Sequence, residues 1–188
     1  MKELKNIRKH KVSKDSVNQE KSMPQNSLQR ELFYLLLKIF CIVIVGIVMF
    51  TFLFGIFQYR ELGMRPALKD GDLVIFYRLD KDYCVSDTAV IVYEGKKQIR
   101  RVVAVEGDVV DITEEGLTVN GALQAEQAIY EDTLRYVEGI DFPVTVGEKE
   151  IFVLGDSRET AVDSRIYGPV KIRETKGKVI TIIRSRNL

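Results

Sequence analysis

The 188 residues fall into three successive patterns of polar and apolar positions. Up to about Arg30 the chain is polar, rich in Lys, Gln, Asn and Ser, and shows no apolar periodicity. That composition predicts a tail without a packed core. From Ile39 to Phe57 nineteen residues carry no charge, and Leu32 to Leu37 extend the run with only Lys38 interposed. A helix of nineteen residues rises about 28 Å, close to a hydrocarbon core of ~30 Å, and Lys38 can snorkel to an interface. The run is too long for a removed leader and ends in Phe54-Gly55-Ile56-Phe57, without a small-x-small cleavage pattern. It predicts an uncleaved anchor over residues 32–57 rather than a signal peptide or a buried core helix. From residue 58 onward the pattern changes to short, β-branched, alternating segments. Strands are predicted at Leu73–Tyr77, Ala89–Tyr93, Gln98–Glu106, Val109–Thr113, Leu117–Val119, Ile151–Leu154 and Lys178–Arg184. Asp70-Gly71, Glu94-Gly95, Glu106-Gly107, Glu115-Gly116 and Asn120-Gly121 supply turns between them. Gln124 to Gly139 reads as a loop or short helix. Residues 58–188 are therefore expected to form one mainly β domain, large enough to bury a core without disulfides.

Charge gives this layout a direction. Nine Lys/Arg and four Asp/Glu precede Ile39, whereas 19 basic and 23 acidic residues follow the apolar run. Basic flanks stay on the cytoplasmic side, so residues 1–31 are expected inside, near anionic lipid, and residues 58–188 outside a cell membrane crossed once. No nucleic-acid partner is expected. Cys41 lies in the span and Cys84 stands alone in the outer domain, so no intramolecular disulfide and no metal-binding Cys spacing exist. The single histidine, His10, is in the tail, which excludes a His-based triad or a His-ligated zinc outside. Neither a metal nor a cofactor is expected.

Three runs carry candidate chemistry: Gly63-Met64-Arg65-Pro66-Ala67-Leu68 followed by Gly71-Asp72; Ile99-Arg100-Arg101-Val102 through Gly107-Asp108; and Phe152-Val153-Leu154-Gly155-Asp156-Ser157-Arg158 continuing to Asp163-Ser164-Arg165 and Gly168. In order and spacing they resemble the boxes of the type I signal peptidases, Ser-Met-x-Pro, Ile-Lys-Arg-Val and Gly-Asp-Asn-Arg…Ser-x-Asp-Ser-Arg. The resemblance implies a signal peptidase I-like β-barrel or sheet core with an inserted smaller region, preceded by one transmembrane helix. It also implies a serine nucleophile whose proton is taken by a neutral lysine.

The three positions that should carry this chemistry depart from the pattern. Gly63 stands at the nucleophile, Arg100 at the general base and Ala161 at the serine that orients the base. A guanidinium holds its proton at any working pH and cannot serve as that base. Ser157, Ser164, Lys69 and Lys97 are the nearest substitutes in sequence, with Lys69 and Lys97 read as solvated turn residues. Asp72, Gly155, Asp156, Arg158, Asp163 and Arg165 match family positions read as structural, Asp163 and Arg165 as an ion pair. Met64, Arg65, Pro66 and Arg100 are candidates for lining a remnant peptide groove. The chain is thus similar to the catalytically degenerate signal peptidase-like proteins encoded with pilins and sortases in Gram-positive bacteria. That resemblance implies an assembly factor or chaperone in pilus polymerisation, with pilin subunits and sortase as partners. An active signal peptidase with a non-standard centre is the alternative. Kinship to the self-cleaving repressors is disfavoured by the anchor and the missing dyad.

Overall fold

The computed structural model describes residues 25–126 and 129–185, and two compact units divide the chain at Gly46/Ile47. The expected tail, with His10, lies outside the described residues up to position 24. Helix α1 spans Gln25–Leu53. Its stretch Ser27–Leu53 is long and apolar enough to cross a membrane, rising roughly 40 Å at ~1.5 Å per residue, and is compatible with a single-pass anchor. The anchor expected through Phe57 is corrected at its carboxyl end. Residues 25–31 are helical, and Phe54–Gln58 forms strand β1 instead of the last helical turn. The span needs only ~20 residues, so the end of the run is free to pair. Gly55, having no side chain, lets the Phe76 ring lie directly on the β1 backbone.

Ten further strands follow: β2 (Leu73–Tyr77), β3 (Thr88–Tyr93), β4 (Lys96–Val105), β5 (Val109–Thr113), β6 (Gly116–Val119), β7 (Ala122–Leu123), β8 (Val144–Thr145), β9 (Glu150–Leu154), β10 (Val170–Lys171) and β11 (Gly177–Ile183). A short helix α2 (Ser164–Tyr167) lies between β9 and β10. Seven strands make one antiparallel sheet in the order β1-β2-β11-β3-β4-β9-β10, with β1 and β10 at its edges. The smaller sheet, β7-β6-β5-β8, is inserted between β4 and β9. The expected mainly β architecture with a smaller inserted region is the one observed. Gln124 to Gly139, in its described part, contains no helix.

Two features of this fold place the site. On β4 the register slips between Val102 and Ala104, so Val102 enters one core and Val103 another. Such a bulge bends a strand and re-aims its side chains. On β9, Ile151 and Val153 pack into one core while Phe152 and Leu154 pack into the other. A strand buried on both faces reads as an unbroken apolar run, and this one, with Leu154 opposite Arg101, delivers Gly155-Asp156-Ser157-Arg158 alongside the middle of β4.

Candidate functional site

Gly63 lies in the connection from β1 to β2, a segment fastened at both ends. Tyr59 and Asp72 bridge it through two backbone bonds, Tyr59 N to Asp72 O at 2.8 Å and Gly71 N to Tyr59 O at 2.9 Å. The Asp72 carboxylate accepts from Lys69 N at 2.9 Å and from Ser185 N at 3.0 Å, tying the turn to the end of β11. The buried Tyr59 hydroxyl accepts from Met64 N at 3.0 Å. Its pKa is pushed up to about 12, first by burial and then by the nearby Glu61 carboxylate.

The three departures from the family pattern meet at one point. A methyl built on Gly63 would stand 3.2 Å from Arg100 Nη1 and 3.3 Å from the Ala161 methyl. Arg100 is only 2% exposed. Its Nε donates to Val162 O at 2.9 Å, and its Nη1 donates to Ile99 O at 2.6 Å and to Glu61 Oε2 at 3.0 Å. The guanidinium therefore occupies the space beside Gly63 and is neutralised by Glu61. Sequence reasoning missed Glu61, because nothing local signals an ion pair that closes across 39 positions.

The third box clamps onto this point from the other side. Ser157 N donates to Gly63 O at 3.1 Å. Gly155 runs so close that a side chain there would collide with the Gly63 carbonyl oxygen and the Ala161 methyl. Asp163 caps α2, accepts from Gly155 N at 3.0 Å, and takes Arg165 Nε and Nη2 at 2.9 Å each. Arg165 also donates to Arg158 O at 2.7 Å and lies over the Tyr136 ring. Arg158 in turn donates to Gly155 O at 2.8 Å and is paired with Glu126. Asp156 accepts from Arg101 at 2.8 and 2.6 Å, which raises the Arg101 pKa further above its ordinary value. The buried Arg158 and Arg165 have inward hydrogen bonds and paired charges, the condition under which a buried ion is tolerated. Their partners Glu126, Thr133 and Tyr136 come from the irregular stretch after β7, where no motif announced them, as does Glu131, which accepts from Ser157 Oγ and Glu159 N.

Of the groove candidates, only Arg65 and Pro66 are exposed. Met64 is fully buried in the core with Tyr59 and Leu68, and Arg100 faces inward. Both are corrected from groove lining to interior packing. Among the substitutes, Ser164 Oγ accepts from Val153 N at 3.0 Å, which fixes β9 against α2. Ser157 Oγ lies 2.8 Å from Thr160 Oγ1 and 3.2 Å from Glu131 Oε2. Lys69 and Lys97 are exposed, and Lys97 lies over the Phe57 ring. Among the described residues 54–185, no serine or threonine hydroxyl is hydrogen-bonded to a lysine.

Comparison with known proteins agrees with this arrangement of boxes. A family model described as signal peptidase, peptidase S26, matches residues 32–183. Signal peptidase I of Bacillus caldolyticus is 30% identical over 142 residues, covering 68% of this chain and 78% of that protein. Probable thylakoidal processing peptidase 2 of Arabidopsis thaliana is 38% identical over 137 residues, covering 63% of this chain; the match spans only 35% of the plant protein's length. A solved signal peptidase I from Enterococcus faecalis V583 aligns with 53% of this chain and 97% of its own, at 25% identity and a TM-score of 0.44. The chain belongs to the signal peptidase family, peptidase S26.

Proposed function

We propose that this chain is a member of the family that no longer cuts, anchored in the cell membrane with its amino terminus cytoplasmic. On this reading its outer domain holds pilin subunits during pilus polymerisation as an assembly factor or chaperone. One observation carries the first half: where the family places a hydroxyl, an amine and an orienting hydroxyl, Gly63, Arg100 and Ala161 meet around a buried guanidinium. The loss of one member of a catalytic set costs several orders of magnitude in rate. Here nucleophile, base and orienter are replaced together, while the struts around them keep their partners. Such a protein acts by holding, and what it offers a partner at this end of the molecule is Arg65 and Pro66. An exposed arginine favours acidic side chains and carbonyl oxygens.

The test is capture of a purified pilin by the full chain in detergent. Arg65→Glu is expected to weaken capture several-fold; capture indifferent to that reversal removes Arg65 from the interface, and no capture at all removes pilin.

An active signal peptidase is the second reading. The names of the relatives favour it, and so does one hydroxyl: Ser157, hydrogen-bonded to the Glu131 carboxylate beside the Gly63 carbonyl. Against it, Ser157 is 6% exposed and a carboxylate is a weak base for a serine proton. Cleavage of a precursor that disappears in Ser157→Ala would establish this second reading.

A further inference from the structure

Surface loops ordinarily turn polar side chains to water and apolar ones toward the core. The stretch 130–137 does the reverse. Its polar side chains are drawn into the domain. Glu131 accepts from Glu159 N at 2.9 Å, and the buried Thr133 hydroxyl donates to Glu126 Oε2 at 3.0 Å. Arg135 donates from Nε to Ile112 O at 2.6 Å and is paired with Asp111 at 2.7 Å. The Tyr136 hydroxyl donates to Ala161 O at 2.9 Å, and Leu134 O accepts from Arg165 Nη1 at 3.1 Å. The apolar side chains stand outside. Tyr130 is 82% and Leu134 63% exposed, and Val137 is fully exposed. The polar bonds run through the whole stretch, so these three side chains turn inward only if the bonds break.

The charge around them says what they meet. Asp132, Glu138 and Asp141 are exposed carboxylates on or beside the stretch. Glu159, also exposed, joins them, since its carbonyl oxygen lies 3.4 Å from the Tyr136 hydroxyl. Among the described residues none of the four carboxylates has a cationic partner, and Arg135 is already taken by Asp111. Surfaces that bind another protein set apolar and aromatic anchors inside a polar rim, and here the charged part of the rim is anionic. Such a rim repels an anionic bilayer, a nucleic acid or an acidic protein, and attracts lysine and arginine. It also disfavours a second copy of this domain, because 19 basic and 23 acidic residues follow the apolar run.

We propose that the stretch 130–137 is a docking surface for a partner protein segment in which apolar residues are interspersed with lysine or arginine. Tyr130, Leu134 and Val137 supply the apolar anchors, and Asp132, Glu138 and Glu159 select the basic charge. This surface shares no residue with Arg65 and Pro66 and does not depend on whether the protein cuts.

The test uses the full chain in nanodiscs of phosphatidylcholine, with empty nanodiscs as the blank. Fluorescence anisotropy follows three labelled peptides, one alternating Leu with Lys, one alternating Leu with Glu and one alternating Ser with Lys. The Leu-Lys peptide is expected to bind several-fold more tightly than the other two, and to weaken as salt is added. Tyr130→Ser with Val137→Ser alters side chains that stand in solvent, leaves the fold intact, and is expected to weaken that binding several-fold. Asp132→Lys with Glu138→Lys is expected to exchange the preference, so that the Leu-Glu peptide binds instead. Wild-type behaviour in either variant would overturn the proposal, as would equal binding of the three peptides or binding of none. Sedimentation of the protein in detergent covers the remaining occupant. A dimer lost in Tyr130→Ser with Val137→Ser would assign the surface to a second copy and overturn the basic partner.

Discussion

Replacing Arg100 by alanine distinguishes an internal strut from a partner-binding cation. The Ile99 carbonyl is buried and loses its donor outright, and hydrogen bonds to charged groups contribute about 1.5–3 kcal/mol each. Val162 is 36% exposed, so its carbonyl regains water and its share is smaller. Glu61 is 26% exposed, and the cost of leaving it unpaired is likewise reduced by solvent. The sum is about 3 kcal/mol, and at ~2–4 °C per kcal/mol for a chain of this size the midpoint falls by about 6–12 °C. Arg100→Lys keeps the charge opposite Glu61 but carries its three donors on one nitrogen, which cannot span the acceptors that Nε and Nη1 reach separately, so its midpoint is expected between the two. The assay is thermal unfolding of the full chain in detergent, followed by near-ultraviolet circular dichroism of the tyrosines. A shift under ~2 °C for Arg100→Ala would refute the reasoning, because the guanidinium would then not be joining Glu61, Ile99 and Val162.

Other consequences follow from the same geometry. Gly155→Ala drives a methyl into the Gly63 carbonyl oxygen and the Ala161 methyl, and a loss of about 2–3 kcal/mol is expected in urea unfolding. Gly63→Ser meets Arg100 at 3.2 Å, a contact that a small side-chain shift relieves, so it is expected to cost about 1 kcal/mol. Combined with Arg100→Lys it should restore at most trace cleavage of a precursor peptide while Ala161 remains; robust cleavage would show that the orienting hydroxyl is dispensable here. The buried Tyr59 titrates at about 12 against 10.0 when unfolded. Below pH 10 both states keep the proton and its contribution is intact. Above it the unfolded chain releases the proton first, so about 2 kcal/mol is lost by pH 12. The urea midpoint is expected to drop over that window, and to drop less in Tyr59→Phe.

Much of the fold could be read from the chain because alternation survives wherever one sheet face meets a core. The seven predicted strands recur in the structure with ends shifted by no more than two residues. Strand β1 escaped because Phe-Gly-Ile-Phe-Gln sits inside a continuous apolar run, where a strand and a helix end look alike. Strands β7, β8 and β10 are two residues each, too short for any period. At the site, the convergence of Gly63, Arg100 and Ala161 followed from motif order. Side-chain direction did not: Met64 and Arg100 stand beside the motif in sequence, yet Tyr59, Leu68 and Glu61 draw them inward. The struts after β7 were silent for a different reason. Glu126, Thr133 and Tyr136 act through long-range side-chain bonds to Arg158, Arg165 and Ala161, and such bonds leave no periodic trace.

The central claim is that the chemistry has gone from a centre whose scaffold remains. The most direct measurement is incubation of the full-length protein in detergent with a precursor bearing a signal peptide, with the products analysed by intact-mass spectrometry. An active family member and a sample without protein serve as controls. The expected result is a precursor mass unchanged from the sample without protein. Release of a mature product at a unique bond, in proportion to added protein, would contradict it.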